Sequence, residues 1–405
     1  MISGNSGLSK LPTRRKQLQS LFLLNQNVVL ISIGVAVLLA LSGGYSFQML
    51  RAASVLHHVP KKPLVLCAYD HLFGSHFDVS DTSIPGTSGP VQMRIYTPVG
   101  IKNPAPIVLI HGFARDGNRN DYLNAFASRF ATVGFQVFVP TVPGASHDQM
   151  LPSDLIVIGD VIRWTAHHTG QQVAAFGISF GAGMIIPAAA QSSVAGNVKM
   201  IVSFSGYNDL GSIARYYLHE RVNDPNGNAY TGQPLGPLLI TSPYLSELIP
   251  LRDVPAISSV VSRLDDNGGH PLPPDDPALL RLDSNQQREF DELQKVNTPQ
   301  MRQLYLDALA RHSAEMEAIS PSSVVKDLKI PLFVLHGTND GAFPEGEIEW
   351  MRQEAAGNPD LHVFISPWLA HVSVGLPASL REKLRVINFC AHIFNKVAIK
   401  QTAAN

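Results

Sequence analysis

The sequence predicts an α/β fold: a mostly parallel sheet flanked by helices and interrupted by a mainly helical insertion. Three observations carry that prediction. Over residues 105–205, short apolar runs alternate with stretches of helical period, joined by short connections. The rhythm stops over residues 207–325, which are rich in Pro, Asp, Asn and Leu, and resumes at Ile330. A structureless stretch of that length does not suit a compact domain, so it reads as an inserted unit. Finally, Gln171-Gln172-Val173-Ala174-Ala175-Phe176 runs straight into Gly177-Ile178-Ser179-Phe180-Gly181, a serine flanked by glycines where a strand turns into a helix.

Composition narrows the class. The chain has 405 residues, room for one large domain with an insertion. Its 31 basic and 32 acidic residues balance to −1, and no basic block interleaves with aromatics, so a nucleic-acid partner is not expected. Charged residues are only 16% of the chain, which leaves room for a large core and an apolar segment. The two cysteines, Cys67 and Cys390, form no metal pattern and are expected as buried free thiols.

Taken in order, residues 1–27 are polar and carry the cluster Arg14, Arg15 and Lys16. The uncharged run Val28 to Leu41 follows, and no Lys, Arg, Asp or Glu occurs between Lys16 and Arg51. Extended through Leu50, this run is long enough to span a bilayer, which favours an uncleaved membrane anchor with the bulk of the chain extracytoplasmic. The alternative is a signal segment cleaved near Ser42–Gly44, leaving a secreted or periplasmic protein. The expected organisation is therefore 1–51 as basic region and anchor or signal, 52–206 with 326–405 as the α/β core, and 207–325 as a cap.

Residues 51–62 read as a linker and Leu64–Tyr69 as a strand. Val91–Pro98 alternates as a half-exposed strand does. Pro106–Ile110, Phe135–Pro140, Val173–Ile178, Met200–Ser205, Ile330–Gly337 and Leu361–Ile365 read as buried strands. Helices are expected over 121–133, 151–168 and 183–191, in the insertion around 286–296 and 301–319, and over 378–397.

The chemistry follows from strand ends, where open α/β sheets gather functional groups. A serine hydroxyl is a poor nucleophile until a base lies within hydrogen-bond reach, and that base needs an acid to hold its tautomer. Ser179 follows one strand. Asp340 follows another, in His336-Gly337-Thr338-Asn339-Asp340, and His371 lies after the last. Asp209, after the strand that succeeds the serine, is a rival acid. The pairs His57-His58 and His167-His168 diverge on any regular element, so a metal site is not expected, and no organic cofactor is called for.

His111-Gly112-Phe113-Ala114, the Gly177–Gly181 pentapeptide, His336–Asp340 and His371 together resemble the α/β-hydrolase superfamily over residues 64–397. The resemblance implies the α/β-hydrolase fold and an acyl-enzyme mechanism. In it Ser179 attacks, His371 takes its proton, Asp340 orients His371, and the backbone N–H groups of Phe113 and Phe180 receive the oxyanion. His111 is expected to be structural. The insertion falls where relatives carry a cap, and its apolar patches, 216–218, 238–240 and 256–261, could line an acyl pocket or simply pack inward. The expected function is a serine hydrolase of carboxylic esters acting on a small ester or acyl substrate. Peptidase, amidase or acyltransferase action by the same residues is the alternative, as is a non-catalytic binding protein on this fold.

Overall fold

The computed structural model describes residues 44–56, 64–218, 220–231, 238, 241–266, 271–295, 298–374 and 377–398. Eight strands form the central sheet: β1 (Phe77–Ile84), β2 (Val91–Pro98), β3 (Pro106–Ile110), β4 (Gln136–Pro140), β5 (Val173–Ile178), β6 (Val198–Phe204), β7 (Leu332–Gly337) and β8 (Leu361–Ser366). Their order across the sheet is β1-β2-β4-β3-β5-β6-β7-β8. All pairings from β4 to β8 are parallel, and β1 and β2 add an antiparallel edge. This is the mostly parallel, helix-flanked architecture that the resemblance implies.

Parallel strands are covered on both faces, and their side chains alternate between two cores. Val108, Ile110, Ala175, Ile201 and Val334 face the first, with the helices α4 (Pro152–Thr169) and α5 (Phe180–Ala190). Ile107, Leu109, Phe176, Met200, Val202, Phe333 and Leu335 face the second, with α1 (Gly44–Leu56), α3 (Asp121–Thr132) and α12 (Leu380–Ala398). Helix α2 (Leu64–Phe73) adds Tyr69 to this second core.

Two expectations in the N-terminal region are overturned. Leu64–Tyr69 is not a strand but the body of α2. Leu66 and Tyr69, three apart, point inward, and the Phe73 ring, a further turn on, lies 5.6 Å from Tyr69 and 5.4 Å from Phe47. A continuous apolar run does not reveal its period, and here the helical neighbours decide it. The expected linker is also shorter than read, because α1 extends to Leu56. Helix α1 lies against α12, buries Ala52, Val55 and Leu56, and carries Phe47, Met49 and Leu50 against the second core. Those residues are therefore committed to the domain and cannot lengthen a membrane span. Buried Arg51 donates from Nε to Val133 O at 3.0 Å and from Nη1 to Gln48 Oε1 at 3.2 Å. The apolar run Val28–Leu41 lies outside the described residues. Among those described, no helix is long and apolar enough to cross a membrane.

The insertion supplies α6 (Leu210–Tyr217), α7 (Val254–Asp266), α8 (Ser284–Leu293), α9 (Pro299–Arg311) and α10 (Ser313–Ala318). Tyr216, Tyr217, Leu218, Leu238, Ile257, Val260 and Val261 are all buried in the first core. Most of the apolar patches therefore pack inward. Helix α11 (Glu345–Glu354) then joins β7 to β8. Of the two cysteines, Cys390 is buried and Cys67 half-buried, with no disulfide between them, and burial pushes the Cys390 thiol up to about 12.

Candidate active site

The strand-to-helix turn after β5 holds Ser179 at φ 56 and ψ −129, a backbone conformation that L-residues rarely adopt. The flanking glycines explain how the chain tolerates it. A Cβ on Gly177 would lie 2.4 Å from Gly181 O, and one on Gly181 would lie 2.3 Å from His111 O. The turn thus brings α5 hard against both its own strand and the end of β3. A Cβ on Gly112 would sit 2.7 Å from Ser179 Cβ, so the loop after β3 passes directly beside the hydroxyl.

Loops from three strands meet there. Ser179 Oγ lies 2.9 Å from His371 Nε2, and His371 Nδ1 lies 2.9 Å and 3.0 Å from the two oxygens of Asp340. Asp340 Oδ1 also accepts from the N–H groups of Ala342 at 2.9 Å and Phe343 at 3.0 Å. Burial opposes ionisation of Asp340. The hydrogen bond and charge of His371, aided by His336 and the Phe343 N–H, outweigh it and hold the carboxyl below its ordinary value. The Phe343 ring stands edge-on to His371 at 5.5 Å.

The Ala114 N–H is committed to Ala145 O at 3.2 Å. The N–H groups of Phe113 and Phe180 make no hydrogen bond with the described residues. Their rings stack at 4.2 Å, which ties the β3 loop to the start of α5. His111 is buried and donates Nδ1–H to Gly112 O at 2.6 Å, while Nε2 accepts from Val142 N at 3.0 Å. Burial drives its pKa down to about 4, so it is a neutral brace between the loops after β3 and β4.

The other candidates are engaged elsewhere. Asp209 caps α6, accepting from Ser212 N at 2.6 Å and Ser322 Oγ at 3.1 Å. His336 is buried and donates from Nε2 to Phe343 O at 3.1 Å. His168 stacks on Trp164 at 4.5 Å. His57 and His58 lie outside the described residues. Among the described residues no three His, Cys, Asp or Glu side chains converge as a metal site would require.

Several residues that hold the site carry no signal in the sequence. Val372, directly after His371, has φ 47, and Ser205, directly after β6, has φ 50. The two touch, with Val372 N donating to Ser205 Oγ at 3.4 Å, and the Tyr122 hydroxyl donates to Val372 O. Val372 is thus held at both its N–H and its carbonyl. Glu347, fully enclosed at the start of α11, accepts from Asn208 N at 3.0 Å and Asp209 N at 2.8 Å through one oxygen. Burial pushes its carboxyl up to about 7 against those hydrogen bonds.

The insertion approaches the loop after β3. Buried Asp148, at φ 55, accepts from Arg115 Nε at 3.2 Å and from Ser262 Oγ of α7 at 2.7 Å, and its carbonyl accepts from Ser242 Oγ at 2.7 Å. A small cavity between cap and core is lined by Phe113, Met150, Leu210, Pro243, Tyr244 and Met316, with Asp148 in its wall.

Comparison with known proteins adds the family. The model of the X-Pro dipeptidyl-peptidase (S15) family matches residues 90–373. No curated protein matches the chain. Among solved structures, an acylaminoacyl peptidase bound to Z-Gly-Gly-Phe-chloromethyl ketone is 15% identical with a TM-score of 0.45; the match covers 79% of this chain and 41% of that one. The chain thus spans about two fifths of that peptidase's length. A brefeldin A esterase, described as a bacterial homologue of human hormone-sensitive lipase, is 15% identical, with a TM-score of 0.48 and coverage of 89% and 88%. A putative dipeptidyl aminopeptidase IV from Bacteroides ovatus is 11% identical, with a TM-score of 0.47 and coverage of 82% and 36%.

Proposed function

The chain belongs to the X-Pro dipeptidyl-peptidase (S15) family of serine hydrolases, and we propose that it cleaves carboxylic esters through Ser179, His371 and Asp340. In this reading His371 Nε2 takes the Ser179 proton as Oγ bonds to the acyl carbon. Negative charge moves onto the former carbonyl oxygen, where the N–H groups of Phe113 and Phe180 receive it. Each such donor typically lowers the barrier by about 3–4 kcal/mol. The imidazolium, stabilised by Asp340, returns the proton to the departing alcohol. Water then repeats the sequence and releases the acid.

The observation that favours an ester is the state of Asp148, the carboxylate that lines the same small cavity as Phe113: it already has Arg115 and Ser262 as partners. A free peptide N-terminus would need a carboxylate not already compensated. The second reading, release of X-Pro dipeptides, is favoured by the family match itself. Comparing p-nitrophenyl acyl esters with glycyl-prolyl-p-nitroanilide on the full chain separates the two. We expect kcat/KM to favour the esters by orders of magnitude, and the reverse preference would overturn the ester reading. Fluorophosphonate labelling lost in Ser179→Ala is the expected sign of the nucleophile. Labelling that persisted in that variant would remove Ser179 from the role.

A further inference from the structure

The edge of the domain from which the N-terminal segment departs is apolar, cationic and close to the active site. Helix α12 begins at the carboxyl ends of the strands: Glu382 in its first turn accepts from Ser366 Oγ, at the end of β8, at 2.8 Å. It ends at the opposite pole, where Lys396 donates to Asp360, just before β8, at 2.7 Å. Helix α1 runs in the same direction beside it. Tyr45 donates to Asn388, midway along α12, at 2.9 Å, while Arg51 reaches Val133 O near the start of β4. Helix α1 therefore starts at its end nearer His371 and Ser179.

The first two turns of α12 extend beyond the start of α1, and their apolar face is uncovered. Leu380 is 73% exposed and Leu384 48%. Residues four apart share a helix face, so Leu380, Leu384 and Asn388 form one stripe leading to Tyr45, itself 45% exposed. At about 100° per residue, Arg381 and Lys383 flank the stripe on either side. Lys383 Nζ lies 5.9 Å from the centre of the Trp368 ring, in the loop that carries His371. Leucines at the centre, cations at the flanks and aromatic rings at the ends make the pattern of a helix face lying in a membrane interface.

We infer that this edge, formed by Leu380, Leu384, Arg381, Lys383 and Tyr45, rests on a lipid bilayer and holds the mouth of the active site beside it. The sequence supplies the tether. From Gln17 to Gly43 no charged residue occurs, and the apolar run Val28–Leu41 ends three residues before α1. That run carries no charged side chain, so a bilayer accommodates it together with the stripe. The inference does not depend on which bond the site cleaves.

The test uses the full chain in phosphatidylethanolamine–phosphatidylglycerol vesicles, in a Cys67→Ser background. Leu384→Cys and, at the opposite pole, Ile101→Cys are each labelled with nitrobenzoxadiazole, and thermal melts confirm that both variants fold. Lipids bearing nitroxides on their tails should quench the probe at 384 severalfold more than the probe at 101. Equal quenching at both positions, or none at 384, would overturn the inference. The second result is also the one expected if the N-terminal segment or a second copy of the chain covers the stripe instead.

Discussion

Asp340→Asn tests the proposed mechanism at its most constrained atom. Asp340 Oδ1 accepts two backbone N–H groups, from Ala342 and Phe343. An asparagine must put its carbonyl oxygen there, because an amide NH2 in that place would face two donors. The NH2 then occupies the Oδ2 position, 3.0 Å from His371 Nδ1. The carbonyl oxygen stays 2.9 Å from Nδ1, but the NH2 beside it opposes an Nδ1–H and donates to a bare Nδ1. This shifts His371 toward the tautomer with its proton on Nε2, 2.9 Å from Ser179 Oγ, and the neutral amide no longer stabilises the imidazolium. A base already protonated at that atom cannot accept the serine proton. Loss of the productive tautomer is worth about 10⁴ in kcat, or about 5.5 kcal/mol. The assay is p-nitrophenyl ester hydrolysis under saturation, with Asp209→Asn as comparison. Asp209→Asn loses at most a helix cap worth about 1 kcal/mol of stability and should leave kcat nearly unchanged. An Asp340→Asn enzyme within tenfold of wild type, or a collapse in Asp209→Asn, would refute the assignment.

Other consequences follow from neighbouring contacts. Tyr122→Phe releases one side of the Val372 peptide and should lower kcat about tenfold with KM nearly unchanged, since small displacements of a catalytic group are costly. Gly112→Ala places a methyl 2.7 Å from Ser179 Cβ and should reduce kcat/KM by about 10²-fold, while Gly341→Ala, which meets nothing within 4 Å, should not. Glu347 is uncharged when folded until about pH 7 but ionises near 4.5 when unfolded. Its stabilising contribution is therefore complete below about 4.5 and lost as pH rises through 7, by about 3 kcal/mol. Urea midpoints should fall over that window in the wild type and stay flatter in Glu347→Gln, whose amide oxygen can still accept from Asn208 and Asp209. Equal pH slopes in the two proteins would show that Glu347 is not the titrating group.

The central sheet was legible because buried parallel strands write themselves as continuous apolar runs, and because function gathers at their carboxyl ends. That rule pointed to Ser179, Asp340 and His371, and the structure sets His371 2.9 Å from both Ser179 and Asp340. It failed where an apolar run had no partner to define its period. Leu64–Tyr69 became helix because Phe47 and Phe73 flank Tyr69, a tertiary fact that no local pattern encodes. Edge strand β1, Phe77–Ile84, was missed because all of its residues except Ile84 are half-buried or exposed, so little hydrophobic contrast remains. The braces around His371 were illegible for a different reason. Tyr122, Ser205 and Val372 lie on three separate loops or helices, and only their meeting gives them meaning.

The left-handed backbones at Ser179, Ser205 and Val372 set evolution and engineering at odds here. Each costs about 1–3 kcal/mol relative to a relaxed conformation, and glycine would remove most of that cost at any of the three. The sequence thus keeps side chains where stability alone would discard them. A search for hardier variants that scored only heat resistance would admit Ser179→Gly, and would return a robust protein without the proposed nucleophile.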